Sequence, residues 1–365
     1  MSRVFSTLCA CIVAIVGWTG LPALDAQEGR GGTPELTPPA INPLMNGDEL
    51  SRALDGYLSR LAATDEFAGV VLVAKNGEKL FERAYGPADR DRKTPMTPEL
   101  RFNIASIGKA FTRAAIGQLI AARKLSLTDT IASRIPDHPN VEGPAATIEQ
   151  LLNHTAGIVD FFGPRFDAAP KDGFRSNADY YKFIASEPPL FAPGSRKQYC
   201  NGCYIVLGEI IARVSGVPYE RYITEQIFKP AGMTGAGFLS EADPQVAPGY
   251  TRQRSSDGVL RRNTAMHGRH GNGAGGSYAR TADLLAFDNA LRERRLLDAT
   301  MTGWYFGSTP VTAGRVPSAA GIAGGAPGAN SMLNGDGTWT IVVLGNLDPP
   351  NATRVASAIR RQLQQ

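Results

Sequence analysis

The chain has 365 residues, 43% of them hydrophobic and 20% charged, with a formal net charge of +4. This composition excludes a disordered chain and suffices for one large domain or two closely packed lobes. So mild a positive excess, without a Lys/Arg run, argues against nucleic acid as the main partner.

Residues 1–26 read as a cleavable secretory signal: Arg3 supplies the positive start, Val4 to Trp18 is largely apolar, and Leu24-Asp25-Ala26 ends in a small residue. No later stretch approaches the ~20 apolar residues a spanning helix needs, so the mature chain is expected to be soluble and periplasmic or secreted, an uncleaved anchor being the alternative. Residues 27–46 are rich in Gly and Pro without apolar periodicity and read as a flexible leader. Asp48 to Leu61 then places Leu50, Leu54, Tyr57, Leu58 and Leu61 on one helical face. The stretch AGVVLVAKNGEKLFERAYG predicts a hairpin, with Asn76-Gly77 in a tight turn that needs positive φ.

Helical patterns follow over Ala105 to Arg123, Ile148 to Asn153, Asn177 to Ile184, Tyr204 to Val214 and Tyr219 to Phe228. Thr281 is a candidate cap for a helix over Ala282 to Leu291, with Asp283 in its first turn. Strand character returns in Trp339 to Leu344, and Asn351 is placed as the cap of a final helix. Strands near both ends with helices between them predict an α/β lobe, about 47–105 and 275–365, interrupted by a helical lobe, about 106–274.

Within FNIASIGKAF, Ser106 and Lys109 stand three apart. On a helix that spacing advances about 4.5 Å and turns about 300°, which makes the two side chains neighbours. A lysine there can take the serine proton if burial or nearby charge lowers its pKa from about 10.4. Taken by itself the pair is as well explained by a surface serine beside a snorkelling lysine. Its company is more informative: LLNHTAG (151–157), PGSRKQYCNGCY (193–204), GAGGSYARTADL (273–284) and GIAGGAPGAN (321–330) follow in order.

Together these stretches resemble the serine hydrolases of the class C β-lactamase and penicillin-binding protein superfamily, including its esterase and D-peptidase branches, over about residues 50–365. The resemblance implies a β-lactamase-like (DD-peptidase) fold: an antiparallel sheet flanked by helices, with an inserted, mostly helical lobe, in one hydrolase domain over 47–365. It implies that Ser106 is the acylated nucleophile, Lys109 its proton-transfer partner, and Tyr199 and Asn201 the members of a Y-x-N motif. A phenol near a lysine can pass a proton to a leaving group, and an amide can orient lysine and substrate. Asn201 is equally suited to cap the helix that follows.

The third motif of the family aligns on Ile322, Ala323 and Gly324, where its usual cation is missing. Gly325 is expected to offer its N–H, with that of Ser106, as an oxyanion hole, and Gly324 and Gly325 to border the substrate. Recognition of a substrate carboxylate is what the lost cation puts in doubt. Compensation by Arg252, Arg254, Arg261, Arg262 or Arg269 is a further possibility, solvated loops the simpler reading.

Export would remove Cys9 and Cys11 and leave Cys200 and Cys203 in an oxidising compartment, either as a local disulfide or as two reduced, buried thiols. A redox enzyme is disfavoured by the absence of a thioredoxin-like pattern, and zinc by the lack of further ligands. His154 reads as a structural hydrogen-bonding residue, His267 and His270 as members of a solvated loop, and the glycines of 271–276 as tight turns beside the cleft. The reading is an exported serine hydrolase with no metal or cofactor, acting on a small ester, peptide or lactam with esters favoured. Its rivals are a β-lactamase or D-alanyl-D-alanine peptidase, and a catalytically weak penicillin-binding-like sensor or scaffold.

Overall fold

In a computed structural model the structure describes residues 39–140, 145–240, 242–253, 255–307 and 321–364. The signal at 1–26 and the leader as far as residue 38 lie outside the described residues, as does Arg254. The end of the leader is packed: Ile41 is buried, the Pro43 carbonyl accepts from Lys75 Nζ at 2.9 Å, and Asn46 caps the first helix. That helix, α1 (Gly47–Ala63), begins with a reciprocal capping box between Asn46 and Glu49. It buries the five residues its period predicts.

The hairpin forms as expected, with β1 (Gly69–Lys75) and β2 (Glu78–Tyr85) joined through Asn76 at φ 56° and Gly77 at φ 84°. Between the hairpin and the remaining strands run the helices α2 (Gly108–Ala121), α3 (Asn177–Ile184), α4 (Asn201–Ser215), α5 (Thr281–Arg292) and α6 (Ala299–Phe306). The helix predicted over Tyr219 to Phe228 is α-helical over Tyr219–Ile223 and continues as a π turn over Thr224–Phe228. The chain ends in β3 (Ile322–Ala326), β4 (Ala329–Gly335), β5 (Trp339–Gly345) and α7 (Asn351–Leu363).

The five strands make one antiparallel sheet in the order β2-β1-β5-β4-β3. Both faces are covered, so β1 and β5 are apolar at nearly every position. Val71, Val73, Ile341 and Val343 pack with α1 and α7, whereas Val70, Leu72, Val342 and Leu344 face the larger core that continues into the inserted helices. This is the expected fold class, and it places edge strand β3 beside the start of α2.

Three predicted caps differ. Thr281 is the first residue of α5 and donates to Glu82 Oε1 at 2.6 Å, while Asp283 accepts from the Arg280 N–H that precedes the helix. Asn351 likewise begins α7 after Pro350. The helix assigned from Tyr204 starts at Asn201 with Cys200 before it, so Asn201 does not cap it. In each case the side chain lies inside the first turn and turns to tertiary partners or the interior.

Candidate active site

Ser106 lies in a 3₁₀ turn, Ala105–Ile107, that runs into α2. The preceding Ala105 is held at φ 46°, a left-handed conformation that costs a non-glycine residue on the order of 1 kcal/mol. Neighbours on both sides clamp this turn. A Cβ on Gly275, itself at φ 145°, would meet the Ala105 carbonyl at 2.2 Å, and one on Gly324 would meet the Ile104 carbonyl at 2.3 Å. Ser331 on β4 donates to the same Ile104 carbonyl at 2.7 Å. The glycines of 271–276 are therefore turns beside the cleft, and the segment also turns a carbonyl, that of Ala274, onto the site.

Lys109, one turn further on, is buried. Its Nζ donates to Asn201 Oδ1 and to the Ala274 carbonyl, both at 2.7 Å, and stands 3.1 Å from Ser106 Oγ. Tyr199 donates to that same Oγ at 2.8 Å. Burial away from water pushes the Lys109 pKa down to about 7, with the charge of Asp160 pulling the other way. Two of the amine's positions are taken by close acceptors, and the third faces the serine. Near neutrality that third position exchanges between an N–H and a lone pair that can receive the serine proton.

Asn201 extends the chain of contacts by donating through Nδ2 to Asp160 Oδ2 at 2.7 Å. The sequence reading passed over Asp160, which stands three residues beyond the LLNHTAG stretch it used. His154, in that stretch, accepts the Cys200 N–H at Nδ1 (3.2 Å) and stacks on Tyr199 with ring centroids 4.9 Å apart. Burial, reinforced by the charges of Lys109 and Lys197, pushes its pKa down to about 3. It is thus a neutral brace for the tyrosine, its proton on Nε2. A disulfide joins Cys200 to Cys203 across the first turn of α4, on either side of Asn201.

Gly324 and Gly325 lie on β3, opposite Ser331 and Asn330 of β4. Ile322, at the head of that strand, faces a cavity of about 420 Å³ that also borders Ser106, Lys109 and Tyr199. A smaller compartment, about 60 Å³, lies on the other side and borders Ser106, Asn201 and Gly325. The basic loop is mostly engaged elsewhere: Arg261 pairs with Asp257, Arg262 with Asp89 and Asp91, and Arg252 donates to the Gly258 carbonyl. Arg269 does border the smaller compartment. His267 and His270 border it too, with His267 bonded to the Pro327 carbonyl at 2.9 Å, so this stretch packs onto the cleft rather than forming a solvated loop. The larger cavity borders a cation the sequence reading missed, the exposed Lys197. Among the described residues no group of three or more His, Cys, Asp or Glu could hold a metal ion, and no helix is long and apolar enough to cross a membrane.

A serine, a buried lysine and a tyrosine converge on one oxygen, an arrangement that can support acyl transfer through the serine. The chain belongs to the Beta-lactamase family, whose sequence model matches residues 54–365. PbpX of Bacillus subtilis is 33% identical over 67% of this chain and 59% of its own length. Esterase EstB of Burkholderia gladioli is 30% identical over 58% of this chain and 56% of its own. The chain thus spans less than two thirds of these curated relatives. The crystal structure of a penicillin binding protein from Bacillus halodurans superposes with a TM-score of 0.73, at 27% identity, over 83% of this chain and 99% of that one.

Proposed function

We infer that the protein is an exported serine hydrolase that turns over carboxylic esters through an acyl-enzyme on Ser106. The observation that carries this reading is the convergence of Lys109 Nζ and the Tyr199 hydroxyl on Ser106 Oγ, at 3.1 and 2.8 Å. Neutral Lys109 takes the Ser106 proton as Oγ bonds to the carbonyl carbon. The N–H groups of Ser106 and Gly325 receive the oxyanion. As the C–O bond to the alcohol breaks, Tyr199 gives its proton to the departing oxygen and recovers one from Lys109. Water then adds to the acyl carbon, loses a proton to the same pair, and releases the acid and the free serine.

Ester substrates are favoured over carboxylate-bearing lactams or D-peptides because Ile322 stands where a cation would be, and a neutral carbonyl compound needs no counter-ion there. Export rests on the signal-like residues 1–26 together with the Cys200–Cys203 disulfide, which persists in an oxidising compartment. The test is intact-protein mass spectrometry with p-nitrophenyl acetate and, separately, a penicillin, comparing wild type with Ser106→Ala while product release is followed. A Ser106-dependent adduct with repeated ester turnover supports the reading. A single stoichiometric acylation by penicillin without ester turnover would replace it with a penicillin-binding sensor.

A further inference from the structure

Ser106 borders two recesses of very different size, about 420 Å³ on one side and 60 Å³ on the other. The first falls within the range of about 300–1,000 Å³ usual for small-molecule sites, and the second is far below it. The large recess follows α2 from Ser106 past Ala110 to Arg113, a span of about 10 Å at 1.5 Å per residue. Its walls are mostly apolar, with Phe287, Leu291, Phe306, Leu333 and Ile322 among them. Its charges sit at the edges: Arg292 is paired with Asp288 at 2.8 Å, Arg113 lies over the Trp304 ring at 4.4 Å with a hydrogen bond to the Trp304 carbonyl, and Lys197 is exposed. The small compartment has Phe161, Phe162, Phe166 and Tyr180 along its wall, beside Arg269 and His270.

The side on which each half of a substrate lies follows from where the proton donor stands. Tyr199 borders the large recess and not the small one, whereas Asn201 and Gly325 border the small one and not the large. An oxygen that leaves with a proton from Tyr199 has to depart on the Tyr199 side, which leaves the acyl substituent facing the aromatic compartment. We propose that the protein selects esters that join a short acyl group to an extended apolar alcohol, with the alcohol in the large recess along α2 and the acyl group in the compartment of Phe161 and Phe162. This rests on Ser106 being the nucleophile, as inferred above.

The experiment uses two ester series with wild type, Ser106→Ala, Ile322→Trp and Phe162→Ala. In one, acetate is esterified to ethanol, butanol, hexanol or a carboxylate-bearing alcohol. In the other, p-nitrophenol carries acetyl, butyryl or octanoyl groups. For wild type, kcat/KM rises about fourfold per added alcohol methylene, the worth of its burial, and falls as the acyl chain lengthens. Ile322→Trp, which narrows the large recess, lowers the hexyl-to-ethyl ratio about tenfold, and Phe162→Ala, at a side chain already 41% exposed, raises the butyryl-to-acetyl ratio. Ser106-dependent turnover that favours long acyl chains, prefers the anionic alcohol, or keeps both ratios unchanged in the two variants overturns the assignment while leaving the hydrolase reading intact. Turnover that survives Ser106→Ala, or no turnover of any ester, overturns the hydrolase reading and this inference with it.

Discussion

The Nζ of Lys109 and the Oδ1 of Asn201 stand 2.7 Å apart, and this contact joins α2 to the first residue of α4. With the Ala274 carbonyl it takes up two of the amine's positions and leaves the third toward Ser106.

A buried lysine with a pKa near 7 sets a pH signature. The groups that face it are Ser106, Tyr199, Tyr204, His154 and, through Asn201, Asp160. Ester kcat/KM should rise with pH through about 7 as Lys109 loses its proton, and Lys109→Met should lower it by about 10²–10⁴ at neutral pH. The same shift governs stability. Because the folded pKa is below the unfolded one, the unfolded chain binds the extra proton between about 7 and 10.5, so this residue's penalty is full below pH 7 and fades above it. Calorimetry of Lys109→Met should show a higher Tm than wild type at pH 6, with the gain shrinking toward pH 10. An unchanged Tm difference across that range would show that Lys109 is not desolvated.

Asp160 holds Asn201 through a hydrogen bond, and its charge favours the ammonium form of Lys109. Asp160→Asn removes a charge that favours the ammonium, so the rise in kcat/KM should move to lower pH, with a smaller effect on its maximum. A pH–rate profile checks this: a lower plateau at an unchanged midpoint would mean that Asp160 only supports the fold.

The disulfide closes a very short loop, so replacing Cys200 and Cys203 by serine should cost about 2 kcal/mol on the chain-entropy scale. Urea denaturation measures that loss. Ester turnover should fall modestly and stay dependent on Ser106, whereas complete loss of function with an intact fold would revive a redox role for the pair.

Gly275 is where a single methyl group would disturb the turn that holds Ser106. A Cβ would stand 2.2 Å from the Ala105 carbonyl on a backbone already at positive φ, so Gly275→Ala should destabilise the protein by about 2–4 kcal/mol. It should also lower ester kcat by displacing Ser106. Wild-type kinetics and denaturation midpoint in this variant would show that the turn accommodates the change.

Local patterns carried much of this in the sequence. The face of α1 and the Asn76-Gly77 turn are set by neighbours a few residues apart, and both stand as expected. Cap assignments failed where a polar residue near a helix start faces inward instead, as Thr281 does toward Glu82 and Asn351 does toward the interior. Strand β4, ANSMLNG, went unrecognised because its hydrophobic residues are few and its partners β3 and β5 supply the pairing.

By itself the sequence determined the order of the chemical groups, Ser106 and Lys109 three residues apart and Tyr199 and Asn201 some ninety residues on, and an apolar Ile322 where the resemblance expects a cation. Tertiary structure alone decided that Asp160 stands behind Asn201, that Lys197 borders the large recess while Arg261 and Arg262 are spent on other carboxylates, and that the cleft is far larger on the Tyr199 side. The physical reason is range. Backbone periodicity and turn chemistry act over a few residues, whereas the burial that pushes the Lys109 pKa down comes from elements brought together only when the sheet and the inserted helices close on one another.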